Sequence, residues 1–304
     1  MSPVFPLPTA ARSVRPHDAK AATRLARELA IPAPLARVLA ARGVLTPDEA
    51  RMWLEPGPAA LHDPLGMGGM REAVALLAAA ARRGGRVVVF GDYDCDGIGA
   101  LAILTTTLKR LGADAVPFIP HRLRDGYGLR SETLRRALDE HAPEGVVTVD
   151  CGITAVAPIR EAVARGVFVV VTDHHLPSEE LPEGAVLLNP KLPGCPYPFK
   201  ELAGAGLAWK LSQALLEAER ERAGLGTDLV QSWMASLAKV AALSTIADMV
   251  PLTGENRVLA AWGLSGLAGP RSPGLAALLA RASVRAGKSP SVHDVAFRIA
   301  PRLN

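Results

Sequence analysis

Short runs of β-branched and apolar residues recur through the middle of the chain: Val87-Val88-Val89-Phe90, Ala115 to Ile119, Val146-Val147-Thr148-Val149, Val167 to Val171 and Val186-Leu187-Leu188. Between them the apolar spacing is helical, from Ile98 to Leu111, Ser131 to His141 and Ala155 to Arg165. Continuously apolar strands alternating with helices predict a parallel sheet covered on both faces, a doubly wound α/β domain. Upstream, Leu25, Leu29, Leu35, Val38 and Leu39 keep helical spacing, and Thr46-Pro47-Asp48-Glu49 reads as a helix start. Downstream, residues 202–223, 229–243, 255–267 and 275–282 read as helices. The expected organisation is a frayed stretch at 1–18, a helical region and linker at 19–69, the α/β domain at 70–252 and a helical connector at 253–304.

Composition narrows the class. Hydrophobic residues make up 49% and charged residues 21% of the 304, which excludes a wholly disordered, collagenous or coiled-coil chain. Three cysteines with no C-x-x-C pair build neither a disulfide framework nor a structural zinc site, so a reducing cytoplasm is expected. The longest uninterrupted apolar stretch, Ala73 to Ala81, stops at Arg82 and falls short of the ~20 residues a bilayer needs. The N-terminus lacks the charged and apolar regions of a signal peptide, so neither membrane insertion nor export is expected. Net charge is only +4, but just seven of the 34 basic residues are lysine. Arginine is the better bidentate phosphate partner, although arginine and alanine are abundant throughout the chain and no polybasic run appears.

In open parallel sheets ligands bind beyond the carboxyl ends of the strands. Gly91-Asp92-Tyr93-Asp94-Cys95-Asp96-Gly97 follows the first strand, Asp150-Cys151-Gly152 follows the strand at 146–149, and Asp173-His174-His175 follows the strand at 167–171. Carboxylates so gathered repel one another unless neutralised, and a divalent cation is the simplest remedy. Oxygen ligands with one or two imidazole nitrogens suit Mn2+, Mg2+ or iron, and this many ligands could hold two ions for phosphoryl displacement. A calcium loop shares the D-x-D-x-D-G opening, but it needs a preceding helix and a glutamate at the twelfth position, where Ile103 stands. Helix capping explains one or two such turns, but not the paired histidines as well. Neighbours in an extended segment point oppositely, so His174 is assigned to metal and His175 to substrate phosphate or proton transfer. His17, His62, His141 and His293 read as ordinary core or surface residues; His121 lies beside Arg122 at the end of another strand.

These motifs, in order and spacing, resemble those of the DHH phosphoesterase superfamily and, more narrowly, of the RecJ-type single-strand-specific exonucleases. Arg122 to Leu129, Asn189-Pro190-Lys191, Tyr197 to Gly204 and Thr245 to Leu252 are similar to stretches of the same group. The resemblance implies a two-manganese or two-magnesium site that hydrolyses single-stranded DNA from its 5′ end. Asp94, Asp96, Asp150, His174 and Asp248 would be ligands, with Asp150 bridging and Asp92 a further member. Asp173 would hold the histidine loop by hydrogen bonds. Arg302 would sit near the scissile phosphate, and Arg122, Tyr127 and Gly128 would contact substrate. The family continues past the arginine motif into a second domain and an oligonucleotide-binding fold, so this chain is expected to carry the catalytic half without the clamp, as a monomer. The alternatives are a DHH enzyme acting on short oligonucleotides or cyclic dinucleotides, and a non-catalytic scaffold. Cys95 and Cys151 leave a redox-sensing reading open.

Overall fold

The structure, a computed structural model, describes residues 15–126 and 128–304. They divide into two compact units, one ending at Pro56 and the other running Gly57–Asn304.

The first unit is three helices, α1 (Ala19–Glu28), α2 (Ala33–Ala40) and α3 (Pro47–Leu54). Asp18, in the stretch expected to be frayed, caps α1 by accepting the N–H groups of Lys20 and Ala21. Thr46 and Glu49 form a reciprocal capping box at α3. Leu25, Ala36, Leu39, Val44 and Ala50 form the core of this unit.

The second unit is built on five parallel strands: β1 (Arg86–Gly91), β2 (Asp114–Phe118), β3 (Gly145–Val149), β4 (Phe168–Thr172) and β5 (Val186–Leu188), in the order β2-β1-β3-β4-β5. It is an α/β fold. Helices α4 (Met70–Arg82) and α5 (Cys95–Leu111) precede and follow β1; α6 (Ser131–His141) and α7 (Val156–Ala164) flank β3 in the chain. Alternation along the strands feeds two cores. Val87, Val89, Val147 and Val149 pack with α4, α5 and the later helices α8 (Gly204–Glu219) and α9 (Thr227–Ala247); Val88, Phe90, Val146 and Val169 pack with α6 and α7. Met67, in the segment read from the sequence as linker, is buried in the first of these cores. After α9 come α10 (Gly254–Gly266), α11 (Pro273–Arg281) and a last helical stretch over 292–302.

α9 carries Asp228 and Lys239 among its apolar residues, so no uninterrupted apolar run marks it in the sequence. By length and composition α9 is nevertheless apolar enough to cross a membrane; 56% of that window is buried inside the fold, which accounts for its character.

One buried polar cluster has no counterpart in the sequence reading. Lys210 and Glu255, both almost wholly enclosed, pair at 2.6 Å. The hydroxyl of Tyr197 donates to the second Glu255 oxygen, the His62 N–H donates to the first, and Lys210 donates to the His62 carbonyl. This ties α8 and α10 to the segment before α4. Because desolvation of an unpaired partner outweighs the Coulombic gain of the pair, Glu255→Gln or Lys210→Met alone should destabilise the chain by about 3–5 kcal/mol. The combined Tyr197→Phe, Lys210→Met, Glu255→Leu chain should lose far less. Urea denaturation reads this directly; additive losses in the combined variant would contradict it.

Candidate metal centre

The chain leaves β1 for β2 on one side of the sheet and returns to β3 on the other. Between the carboxyl ends of β1 and β3 a crevice opens where strand order reverses. The turns after β1 and β3 deliver Asp92, Asp94, Asp96 and Asp150 there; the turn after β4 delivers Asp173, His174 and His175.

Local hydrogen bonds set each side chain. Asp94 caps α5, its Oδ1 accepting the N–H groups of Asp96 at 3.0 Å and Gly97 at 2.9 Å. Gly97 is required: a Cβ there would lie 2.5 Å from the Asp92 carbonyl oxygen. Asp92 Oδ1 accepts the Tyr93 N–H at 2.6 Å. Asp96, in the first turn of α5, receives the N–H groups of Gly204 at 2.6 Å and Ala205 at 2.9 Å, so the positive end of α8 faces a buried carboxylate. Gly204 allows this approach, since a Cβ would stand 2.7 Å from Asp150 Oδ1. Asp150 has φ of +59°, a left-handed conformation that aspartate tolerates better than most residues.

His174 lies at the centre. Its Nε2 is 3.1 Å from Asp150 Oδ1, 3.7 Å from Asp248 Oδ2 and 3.9 Å from Asp96 Oδ2. Asp248 ends α9 and is followed by Met249 at φ +62°, where the chain turns away. His175 takes a different position from the alternating one expected. β4 ends at Thr172, and Asp173 Oδ1 accepts the His175 N–H at 3.0 Å, curling the chain in an Asx turn. The two imidazole centroids are 4.5 Å apart, and a ring nitrogen of each lies within 4.8 Å of an Asp150 oxygen. His175 Nδ1 also meets Asp173 Oδ1 at 2.7 Å, while Asp173 Oδ2 accepts the Ile153 N–H at 2.9 Å. A cavity of about 320 Å³ beside these groups is lined by Gly128, Asp150, Gly152, Thr154, Asp173 and His175. Tyr127 lies outside the described residues.

The two arginines named in the sequence lie outside the carboxylate cluster. Arg122 places its guanidinium 4.7 Å over the ring of Tyr93, in the turn after β1. Arg302 is exposed and donates to the Arg298 carbonyl; two residues on, Asn304 Oδ1 accepts the Cys95 N–H at 2.7 Å, so the last residues meet the same turn. Asn189, in a stretch noted above only for its similarity to the family, braces the histidine turn: its amide donates to the His175 carbonyl at 2.8 Å and its oxygen accepts the Lys191 N–H at 2.8 Å. An asparagine before proline at a strand end, Asn189-Pro190, was the available signal.

Electrostatics follow the geometry. Burial, and then neighbouring carboxylates, push Asp96 and Asp150 well above the usual carboxylate range; burial likewise raises Asp92 and Asp248. Burial alone would raise Asp173 too, but hydrogen bonds from the His175 ring and from the Ile153 and His175 N–H groups hold it below the ordinary range. The bond to Asp173 correspondingly raises His175. Burial pushes the Cys95 thiol up to about 12 and raises Cys151 as well, leaving both protonated and poorly reactive. Among the described residues, Asp150 Oδ1, Asp248 Oδ2 and both nitrogens of His174 are buried without a hydrogen-bond partner. Unpartnered acceptors converging from three elements fit a hard divalent cation, and carboxylate oxygen with imidazole nitrogen is a donor set that manganese and magnesium accept.

Residues 86–241 match the family model described as "DHH family, N-terminal domain". The chain belongs to the DHH family. Within the family it is similar to the Bacillus subtilis strain 168 single-stranded-DNA-specific exonuclease RecJ, at 38% identity over 92% of this chain. It spans only 34% of that relative's length. The crystal structure of Thermus thermophilus RecJ in complex with Mn2+ superposes with a TM-score of 0.74 at 36% identity, covering 93% of this chain and 38% of the other. The Mg2+ complex from the same organism gives 0.64 at 32% identity, over 93% and 35%.

Two measurements probe this DHH centre. Between the ordinary aspartate range and its raised folded value, Asp150 binds a proton in the folded metal-free protein that the unfolded chain has already lost. Its contribution to stability therefore falls as pH rises through that window. In EDTA, Asp150→Asn should raise Tm more at pH 8 than at pH 5, by about 2–4 °C for each kcal/mol relieved; an equal change at both pH values would contradict the buried-charge account. By calorimetry, His174→Ala should weaken Mn2+ binding at least about tenfold, whereas His175→Ala should leave most of it; equal losses would assign both rings to the ions.

Proposed function

We propose that this chain is the catalytic domain of a RecJ-type exonuclease, hydrolysing single-stranded DNA from the 5′ end by two-metal phosphodiester cleavage in DNA repair and recombination. The observation that carries the reading is the convergence on His174 of buried, unpartnered carboxylate oxygens from Asp150 and Asp248, in a chain similar to manganese-containing RecJ.

Asp94, Asp96, Asp150, His174 and Asp248 would hold two divalent cations, Mn2+ or Mg2+, Asp150 serving both, and Asp92 would be a further, buried carboxylate of the set. When bound, the cations activate the attacking water and neutralise charge on the phosphoryl oxygens. The chain's own groups do the rest. Asp96 is oriented by the Gly204 and Ala205 N–H groups, which favour its charged form. His175, braced by Asp173 through its ring and N–H and by Asn189 through its carbonyl, faces the cavity and carries a proton at Nδ1 toward Asp173. Its Nε2 edge is then free to contact a phosphate oxygen or the departing 3′ oxygen. Arg122 and Arg302 supply guanidinium groups for the phosphates flanking the scissile bond, and Gly128 leaves the cavity wall open to the sugar-phosphate backbone.

With Mn2+ and a 5′-phosphorylated single strand, the chain should release mononucleotides, leave duplex DNA intact and cleave a dinucleotide no faster than the long strand. Asp150→Ala should abolish hydrolysis while the far-ultraviolet spectrum is unchanged. Retention of a tenth of wild-type turnover would remove Asp150 from the reaction, and preference for the dinucleotide would replace the exonuclease reading with a short-oligonucleotide one.

A further inference from the structure

At the far end of α8 from the metal centre, a pocket of about 740 Å³ opens between the Pro58–Leu65 segment, α8, α9 and α10. Gly204, at the start of α8, serves Asp96, whereas Gln213 to Ala218 line the pocket roughly 15–20 Å farther along the helix. The two sites share no residue.

The pocket's wall is mostly apolar. Trp209 and Trp262 meet edge to face at 6.0 Å, and Val230 and Met234 of α9 add one helical face. Charge enters the lining at its exposed edge. At the mouth stand Asp63 and Glu217, both exposed, and none of the lining residues is basic. Arg220 reaches one oxygen of Glu217 at 3.4 Å from outside the pocket. The mouth is therefore acidic and the interior mostly apolar.

We propose that this pocket docks a segment of a partner protein that inserts an apolar side chain against Trp209 and Trp262 and carries lysine or arginine beside it. Its cationic residue lies between Asp63 and Glu217. A protein segment suits the site better than a small metabolite. Small-ligand sites converge several polar groups inside the pocket, whereas here the charges sit on an open rim and apolar surface continues outward over Leu65, which is 37% exposed. The surface is separate from the proposed chemistry and does not depend on it.

The test uses the full chain and two labelled amphipathic peptides of about four helical turns, one of leucine and lysine only and its twin of leucine and glutamate, read by fluorescence anisotropy. The Leu/Lys peptide should bind at least about tenfold more tightly than its twin. Ala218→Trp, which fills the mouth from an exposed helix position, and Glu217→Lys, which reverses the rim, should each weaken it about tenfold with unchanged Tm and unchanged DNA hydrolysis. Equal affinity for both peptides, binding untouched by Ala218→Trp, or no measurable binding overturns the proposal. So does tryptamine binding as tightly as the peptide, which would make the pocket a small-molecule site.

Discussion

Four carboxylates and an imidazole are held out of water at one sheet edge, and their mutual repulsion is the constraint to which the rest of the second unit answers. Asp92, Asp96, Asp150 and Asp173 are each about 2% exposed or less. Moving an ionised carboxylate into such surroundings costs several kcal/mol even after relaxation. The fold offsets this cost unevenly. Asp173 is surrounded by donors and stays ionised, whereas Asp150 and Asp248 keep oxygens without a hydrogen-bond partner among the described residues. A centre in which some carboxylates are fully served and others left bare is organised around an external positive charge.

That arrangement explains local choices that look arbitrary one at a time. Gly204 has no side chain because the start of α8 must bring two N–H groups onto Asp96 within reach of Asp150. Asp150 and Met249 both adopt left-handed backbone conformations, one directly after β3 and the other directly after Asp248. Ser244 of α9 donates to the Cys95 carbonyl, holding the helix that ends in Asp248 against the turn after β1. The buried Lys210–Glu255 pair then fixes α8 to α10 from behind, so the helix that serves Asp96 is anchored at a second, independent point.

The two ends of α8 are thereby given different work. Its first turn is polar, enclosed and committed to a carboxylate; its last turns, through Gln213, Ala214 and Glu217, face an apolar pocket with an acidic mouth. Lys210, midway along the helix, is held by Glu255 and the His62 carbonyl between those two ends.

The parallel sheet, its helices and the carboxylates and histidines at strand ends were legible in the sequence, because strand runs are continuously apolar and Asp-rich turns follow them directly. α6 was located to the residue, and α5 to within three residues of its start, where Asp94 extends it by capping. Residue type and spacing determine such local features. Asp248 could not be found from spacing: it is distant in sequence from the strand ends and reaches His174 only because α9 packs across α5 and α8. The relative placement of His174 and His175 depended on an Asx turn, not on strand alternation, and the unpartnered state of Asp150 Oδ1 is visible only when every surrounding donor has a position. The sequence determined which groups are present and which element carries each. Tertiary structure alone decided which of them share a few ångströms, because that distance is set by packing between elements far apart in the chain.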